Sequence, residues 1–177
     1  LEIGTNTQKR YLKRLGLLSP ARIELIEVGA PLSPDLWREI NTMTISYGHG
    51  IAVSPLQLSL GVGALVNGGV LLKATLLKLG KESKLGGIRV IKSQTSRVMR
   101  DLMRLVVRQG SGRRAEVPGY FVGGKTGTAN KPGKRQKGYR TRKLISSFVA
   151  AFPTNTPKYV VLALLDEPKG NKETQGF

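Results

Sequence analysis

The residues best suited to chemistry lie at positions 123–131, where the sequence reads GGKTGTANK. In an extended strand, Thr126 and Thr128 share one face, while Lys125 and Gly127 share the other. Neighbouring hydroxyl groups beside a cation can bind a carboxylate, and the glycine lets a ligand approach the backbone. On an edge strand, the Thr128 N–H could also stabilise an oxyanion. The segment therefore predicts a carboxylate-binding strand. The alternative is a polar edge strand whose lysine only discourages aggregation.

The serines of the chain do not supply a nucleophile to accompany this strand. Lysine, a hydroxyl residue, glycine and a second hydroxyl residue form the substrate-side strand of the serine enzymes that penicillin acylates. Those enzymes also need a serine three residues before a lysine, and a Ser-x-Asn element. None of the eleven serines has lysine at the third following position or asparagine at the second. We therefore expect the nucleophile to lie outside these 177 residues, and the chain alone to be inactive.

Three further segments occur in the order typical of class B penicillin-binding proteins. They are ISYGHGIAVSPLQL at 45–58, GSG at 110–112 leading to VPGY at 117–120, and DEP at 166–168. With the KTGT strand, they make essentially the whole chain resemble the C-terminal part of a class B transpeptidase domain. The aromatic-Gly-x-Gly form at 47–50 is most similar to the cell-division (septal) type. The chain departs from the pattern at His49, where relatives often have an aromatic residue, and in lacking both serine motifs.

The resemblance implies a fold and a domain boundary. We expect an α+β architecture, part of the transpeptidase fold shared by penicillin-binding proteins and β-lactamases, with helices packed on an antiparallel sheet. Residues 1–177 would form the C-terminal part of a single transpeptidase domain, truncated at both ends. The full-length protein would be anchored in the inner membrane of a bacterium, with this domain in the periplasm.

The same resemblance implies a reaction and roles for five residues. The enzyme would be a D,D-transpeptidase that crosslinks peptidoglycan stem peptides ending in D-Ala-D-Ala through an acyl-serine, and β-lactams would acylate it. Lys125 would belong to its proton network, and the Thr128 N–H would form half of the oxyanion hole. Thr126 and Thr128 would bind the carboxylate, while Gly124 and Gly127 keep the strand close to the ligand. Cell-division proteins would be partners of the full-length protein, and no metal or organic cofactor is implied.

Two other classes of function remain as alternatives. Residues 119–126, GYFVGGKT, match the P-loop consensus of nucleotide-binding proteins, but the large residues at 120–122 favour a strand over a loop that opens a helix. A non-enzymatic penicillin sensor or basic binding module would carry the same KTGT strand. His49 is the sole histidine, so a Ser-His-Asp triad would need it. It lies between two glycines in a predicted loop, which favours a hydrogen-bonded loop residue.

The net charge of +18, from 29 basic and 11 acidic residues, is unevenly distributed, and positions 131–143 contain seven of the basic residues. This stretch, KPGKRQKGYRTRK, has no aliphatic residue and is predicted to be a long mobile, solvated loop between two strands. Nucleic-acid binding is not expected, because only Tyr139 offers a stacking ring there. The absence of cysteine argues against zinc sites and disulfides. The longest apolar run, 160–165, is far shorter than a membrane span.

Local patterns predict the elements that would position these residues. Ser54, Pro55 and Gln57 have the types and spacing of a helix N-terminus with a capping box. That helix is apolar nearly all round, with Gly61 and Gly63 allowing close packing, so we expect it to be buried. A turn at 154–157 should make the last two strands antiparallel. The predicted helices are 5–15 (capped by Thr5 or Asn6), 54–66 and 96–109; an irregular segment covers 19–34; residues 70–79 are predicted to be a strand or an extended segment; the predicted strands are 120–129, 144–152 and 158–166.

Overall fold

A computed structural model describes residues 2–80, 85–132 and 139–169. The chain forms two compact units, Leu1–Leu102 and Met103–Phe177. The helices are α1 (Thr5–Arg14), α2 (Glu39–Ser46), α3 (Pro55–Val66) and α4 (Ser93–Gln109), with a 3₁₀ turn at Arg113–Ala115. The strands are β1 (Val70–Leu72), β2 (Gly87–Arg89), β3 (Gly123–Pro132), β4 (Tyr139–Phe152) and β5 (Tyr159–Asp166). Helices and antiparallel strands occur together, so the predicted α+β class is confirmed.

In the first unit, α3 begins as its sequence predicts. The Ser54 hydroxyl accepts a hydrogen bond from the Gln57 N–H, and the Gln57 side chain accepts one from the Ser54 N–H. This reciprocal pair is the expected capping box, with proline in the first turn. Close packing is confirmed at Gly61, where a Cβ would lie 3.3 Å from the Leu15 carbonyl oxygen. It is not confirmed at Gly63, where a Cβ would meet no atom outside its neighbours and its own helix backbone within 4 Å.

Buried amide side chains connect the segments of this unit. Gln57 is 1% exposed, and its Nε2 donates to the carbonyl oxygens of Ser19 at 2.7 Å and Gly16 at 3.3 Å. Gln8 donates likewise to the Thr42 carbonyl at 2.9 Å. Because the segment 15–22 has little regular structure of its own, Gln57 supplies hydrogen bonds to carbonyl groups there, whereas Gln8 connects α1 to α2.

The second unit contains a three-stranded antiparallel sheet in the order β3-β4-β5. Val107, Val122 and Ala150 are buried together in its core, and Phe148 and Phe152 pack against them. Phe148 of the central strand β4 is paired with Thr126 of β3 on one side and with Ala163 of β5 on the other. The predicted antiparallel pairing of the last two strands is confirmed.

Several predicted boundaries are wrong for identifiable reasons. No side chain caps α1, whose N-cap is Gly4; the Thr5 hydroxyl instead accepts from Thr42. Of residues 70–79, predicted as a strand or an extended segment, only 70–72 form a strand, β1, which pairs with β2, an element that the sequence did not predict. Helix α2 was also not predicted, because its apolar residues do not form one continuous face. The third strand starts at Gly123 because Phe121 has a positive φ of 49°.

The basic segment is not a loop throughout. Residues 131–132 belong to β3 and residues 139–143 to β4, so the predicted loop 131–143 is wrong at both ends. Residues 133–138 lie outside the described part of the chain. Within the described residues, no helix has both the length and the apolar character needed to cross a bilayer.

Candidate active site

The KTGT residues lie on β3, the outer strand of the described sheet. Lys125 pairs with Val149, Thr126 with Phe148 and Thr128 with Ser146. Since side chains alternate along a strand, the two threonines share a face, as predicted. Thr128 and Lys125 are exposed, whereas Thr126 is half-buried. The strand therefore presents a cation and a hydroxyl group to solvent, with a second hydroxyl partly enclosed.

A second hydroxyl group lies beside Thr126. The Oγ of Ser111 is 2.8 Å from the Oγ1 of Thr126, a hydrogen bond in which either can donate. Ser111 follows α4 in a turn held by hydrogen bonds from the N–H groups of Gly110 and Gly112 to the Val106 carbonyl, at 3.0 and 3.1 Å. Spacing in the sequence could not reveal this pair. The only signal was that Ser111 lies within a segment resembling the family pattern.

Lys125 has its ammonium group on its own strand in this structure. Its Nζ donates to the Thr126 carbonyl at 2.7 Å. This contact ties the cation to the backbone of β3 while leaving it exposed.

The glycines of this strand make room for β4. A Cβ on Gly124 would lie 2.7 Å from the Val149 carbonyl oxygen and 2.9 Å from a ring carbon of Phe148. A Cβ on Gly127 would lie 2.6 Å from the Ser147 hydroxyl, which donates to the Gly127 carbonyl at 3.2 Å. Both contacts are closer than side-chain packing allows, so glycine at these positions permits close β3–β4 packing.

The side chain of Arg104 contacts the residues just before the start of β3. The guanidinium of Arg104 on α4 binds both carboxylate oxygens of Glu116, at 2.6 and 3.0 Å, and donates to the Val122 carbonyl at 2.8 Å. The hydrogen bond from Arg104 lowers the pKa of Glu116 below its ordinary value. Because Glu116 orients the Arg104 guanidinium through two hydrogen bonds, the same guanidinium can hold the carbonyl of Val122, the residue immediately before β3.

The far end of β3 carries a second set of charges, which we call the strand-end cluster: Lys131, Lys143, Asp166 and Glu167. Lys131 Nζ lies 2.5 Å from Asp166 Oδ1 and 3.0 Å from Glu167 Oε1. Lys143 Nζ lies 2.7 Å from Glu167 Oε2. The bonds from Lys143 and then Lys131 lower the pKa of Glu167, and those from Asp166 and Glu167 raise the pKa of Lys131. The expectation that the basic segment is only a solvated connector is therefore wrong for these two lysines.

The remaining candidates have simple surroundings. The His49 ring packs edge-on against the Tyr47 ring, with centroids 5.5 Å apart, and the backbone N–H of His49 donates to the Thr44 carbonyl. Within the described residues, no group of three or more His, Cys, Asp or Glu side chains could hold a metal ion. The P-loop alternative is not supported, because the residues after Lys125 form a strand, whereas a P-loop opens a helix.

Comparison with known proteins identifies the family. A family model described as the penicillin binding protein transpeptidase domain matches residues 1–176. The chain belongs to this family. It is 42% identical to the probable peptidoglycan D,D-transpeptidase FtsI of Caulobacter vibrioides, over 99% of this chain and 31% of that protein. It is 33% identical to the stage V sporulation protein D of Bacillus subtilis, over 98% of this chain and 28% of that protein. The chain thus spans about a third of the length of these relatives.

Solved structures give the same result for the fold. The transpeptidase domain of penicillin-binding protein 3 from Burkholderia pseudomallei is 35% identical, with a TM-score of 0.85 over 93% of this chain and 50% of that one. Penicillin-binding protein 3 from Mycobacterium tuberculosis, in complex with ampicillin, is 28% identical, with a TM-score of 0.85 over 93% of this chain and 40% of that one. The predicted family and transpeptidase fold are confirmed.

Proposed function

We propose that this chain is the C-terminal part of the transpeptidase domain of a peptidoglycan D,D-transpeptidase of the cell-division type. The observation that carries the proposal is the hydroxyl-bearing face of β3, where Thr126 and Thr128 follow an exposed lysine on an outer strand. Identity of 42% to the Caulobacter relative supports the same reaction.

In the proposed reaction, a serine outside residues 1–177 attacks the carbonyl of D-alanyl-D-alanine. Its hydroxyl proton is taken up by the proton network, and the terminal D-alanine leaves after protonation of its amine. An amine of a neighbouring stem peptide then attacks the acyl-serine and releases the crosslinked product and the free serine. β-Lactams acylate the same serine, and the structure of the Mycobacterium relative with ampicillin is in keeping with this.

The hydroxyl groups of Thr126 and Thr128 bind the carboxylate of the substrate or the β-lactam. Ser111 shares a hydrogen bond with the Thr126 hydroxyl at 2.8 Å, so donation by Ser111 leaves the Thr126 proton available for the carboxylate. The Thr128 N–H supplies one donor to the oxyanion, and the N–H of the attacking serine supplies the other. Gly124 and Gly127 let the strand lie close to the ligand as well as to β4.

Lys125 belongs to the proton network around the attacking serine. Its ammonium group is already paired to the Thr126 carbonyl at 2.7 Å, next to the hydroxyl that binds the carboxylate. A cation at this point stabilises both the carboxylate and the developing negative charge of the nucleophile.

The full-length protein would act in the periplasm from an inner-membrane anchor, on peptidoglycan stem peptides and together with cell-division proteins. We assign it no metal or organic cofactor. A non-enzymatic penicillin sensor would bind β-lactams through the same strand, but would not release D-alanine from a stem peptide.

The experiment that tests this proposal replaces Lys125 with alanine in the full-length protein. Loss of a group that transfers protons should slow acylation by a fluorescent penicillin by roughly 10²–10⁴-fold. Lys158→Ala is the matched control, since Lys158 is also an exposed lysine of the second unit and lies before β5. An acylation rate for Lys125→Ala equal to that of the control would refute the catalytic role.

A further inference from the structure

The regular pairing of β3 with β4 is interrupted just beyond the KTGT residues. Asn130 pairs with Leu144 and Pro132 pairs with Tyr139. Lys131 alone separates the two positions on β3, whereas residues 140–143 separate their partners on β4. The register therefore shifts at Lys131, and an irregularity of this kind loosens the backbone ladder locally. Pairing resumes at Pro132, and a side-chain contact across the shift would add to the hold on this end of β3, the substrate strand of the proposed function.

The strand-end cluster supplies such a contact. Glu167 uses one carboxylate oxygen for Lys131 of β3, at 3.0 Å, and the other for Lys143 of β4, at 2.7 Å. Asp166, the last residue of β5, adds a second partner for Lys131 at 2.5 Å. Glu167 thus joins the ends of two strands across the point where their pairing shifts.

Isolated ion pairs on a surface contribute little, because water screens them and ordering the side chains is costly. The strand-end cluster differs in two respects. Each of its central residues, Lys131 and Glu167, has two charged partners, and the Lys131 side chain is only 25% exposed. A network with a partly enclosed lysine keeps more of its attraction than a single exposed pair does.

The backbone of Glu167 is also unusual. Its φ is 48°, in the left-handed region that residues other than glycine adopt at a cost. Its N–H donates to the Leu144 carbonyl at 2.9 Å, which extends the β4–β5 ladder past Asp166. Such a conformation persists only where the surroundings hold it, and here the two lysines and the ladder do so.

We propose that Glu167 is a positioning residue for the substrate strand, which it holds at its far end by bridging Lys131 to Lys143. Lys131 lies three residues beyond Thr128, about 10 Å along the strand. Because β3 has β4 as its one neighbour in the described sheet, a loosened end leaves the two threonines free to shift. The inference rests on the proposed function for its effect on acylation, but not for its effect on the strand.

The test uses the full-length protein with Glu167→Ala and, separately, Lys131→Ala. Both should speed amide hydrogen exchange across 124–130 and slow acylation by a fluorescent penicillin about tenfold, because small misplacement of binding groups is costly. The maximal acylation rate at saturating penicillin should fall, whereas the affinity of the initial non-covalent complex should change less. Lys131→Arg keeps the charge, so its hydrogen exchange and its acylation rate should both be close to those of the wild type. Lys158→Ala should match the wild type in both measurements.

Combining the two alanine variants separates this bridge from independent surface effects. Glu167→Ala keeps the contact of Lys131 with Asp166, and Lys131→Ala keeps that of Glu167 with Lys143, so the two variants share only the loss of the Lys131–Glu167 contact. If Glu167 acts through Lys131, the double variant should lose less than the product of the two single losses. Multiplicative losses in the double variant would overturn the inference. So would unchanged exchange in Glu167→Ala, or faster exchange with acylation at the wild-type rate. A wild-type protein that no penicillin acylates would refute the proposed function instead, and exchange alone would then decide whether Glu167 holds the strand.

Discussion

Replacing Gly124 with alanine tests whether the substrate strand depends on its close approach to β4. The added Cβ would lie 2.7 Å from the Val149 carbonyl oxygen and 2.9 Å from a ring carbon of Phe148. Ordinary contact begins at 3.4 Å, so the Val149 carbonyl must move away by about 0.7 Å, and the Phe148 ring, whose Cζ is the nearest atom, must move further. Backbone atoms are involved, so a side-chain rotation alone does not relieve the overlap.

This displacement sets the expected size of the effect. Misplacement of binding groups by about 1 Å can cost about 10²-fold in rate, so we expect acylation by a fluorescent penicillin to slow by roughly 10- to 100-fold. Overpacking of this kind costs about 1–3 kcal/mol, which urea denaturation of the full-length protein would detect as a lower midpoint. The rate is read in stopped-flow or gel-based acylation at several penicillin concentrations.

Gly63→Ala is the matched control. Gly63 lies within α3, and a Cβ there meets no heavy atom within 4 Å apart from its neighbours and the backbone of its own helix. Alanine in a helix is more favourable than glycine by about 0.5–1 kcal/mol, so this variant should be as stable as the wild type or more so, with normal acylation. If Gly124→Ala behaves like Gly63→Ala, then the close β3–β4 packing does not position the threonines and the reasoning is wrong.

Three further predictions follow from other contacts. Ser111→Ala removes a hydrogen bond to Thr126 and should slow acylation about fivefold, for a loss near 1 kcal/mol; an unchanged rate would leave the pair without a role in binding. Gln57→Ala leaves a backbone N–H and two carbonyls without their partner, and urea denaturation should show a loss of roughly 2–4 kcal/mol. Hydrogen bonds from Lys143 and Lys131 lower the pKa of Glu167. The Glu167 carboxylate therefore stabilises the fold above the ordinary glutamate pKa of about 4.3, and this stabilisation is lost as the pH falls through the lowered pKa. Thermal unfolding of wild type and Glu167→Ala should therefore converge at acid pH, and a difference that persists there would contradict the ionic bridge.

Much of the local structure follows from neighbouring residues in the sequence. Ser54, Pro55 and Gln57 determine where α3 starts, since both hydrogen bonds of the capping box join residues three positions apart. The apolar spacing near α4 predicts a helix that the structure extends to Ser93–Gln109. Alternation predicts β3 and places Thr126 and Thr128 on one face. The order of motifs along the chain identifies the family.

The contacts that complete the candidate site depend on tertiary structure. Ser111 meets Thr126 only because the end of α4 packs beside β3, and no spacing in the chain encodes that distance. Glu167 meets Lys131 and Lys143 only through the register of three strands. Where hydrogen bonds and side-chain alternation act within a few residues, as at the α3 cap and on the β3 face, the sequence alone determines the structure. Which distant side chains meet depends on how strands align and where the register shifts, and that is decided by the packing of the whole sheet.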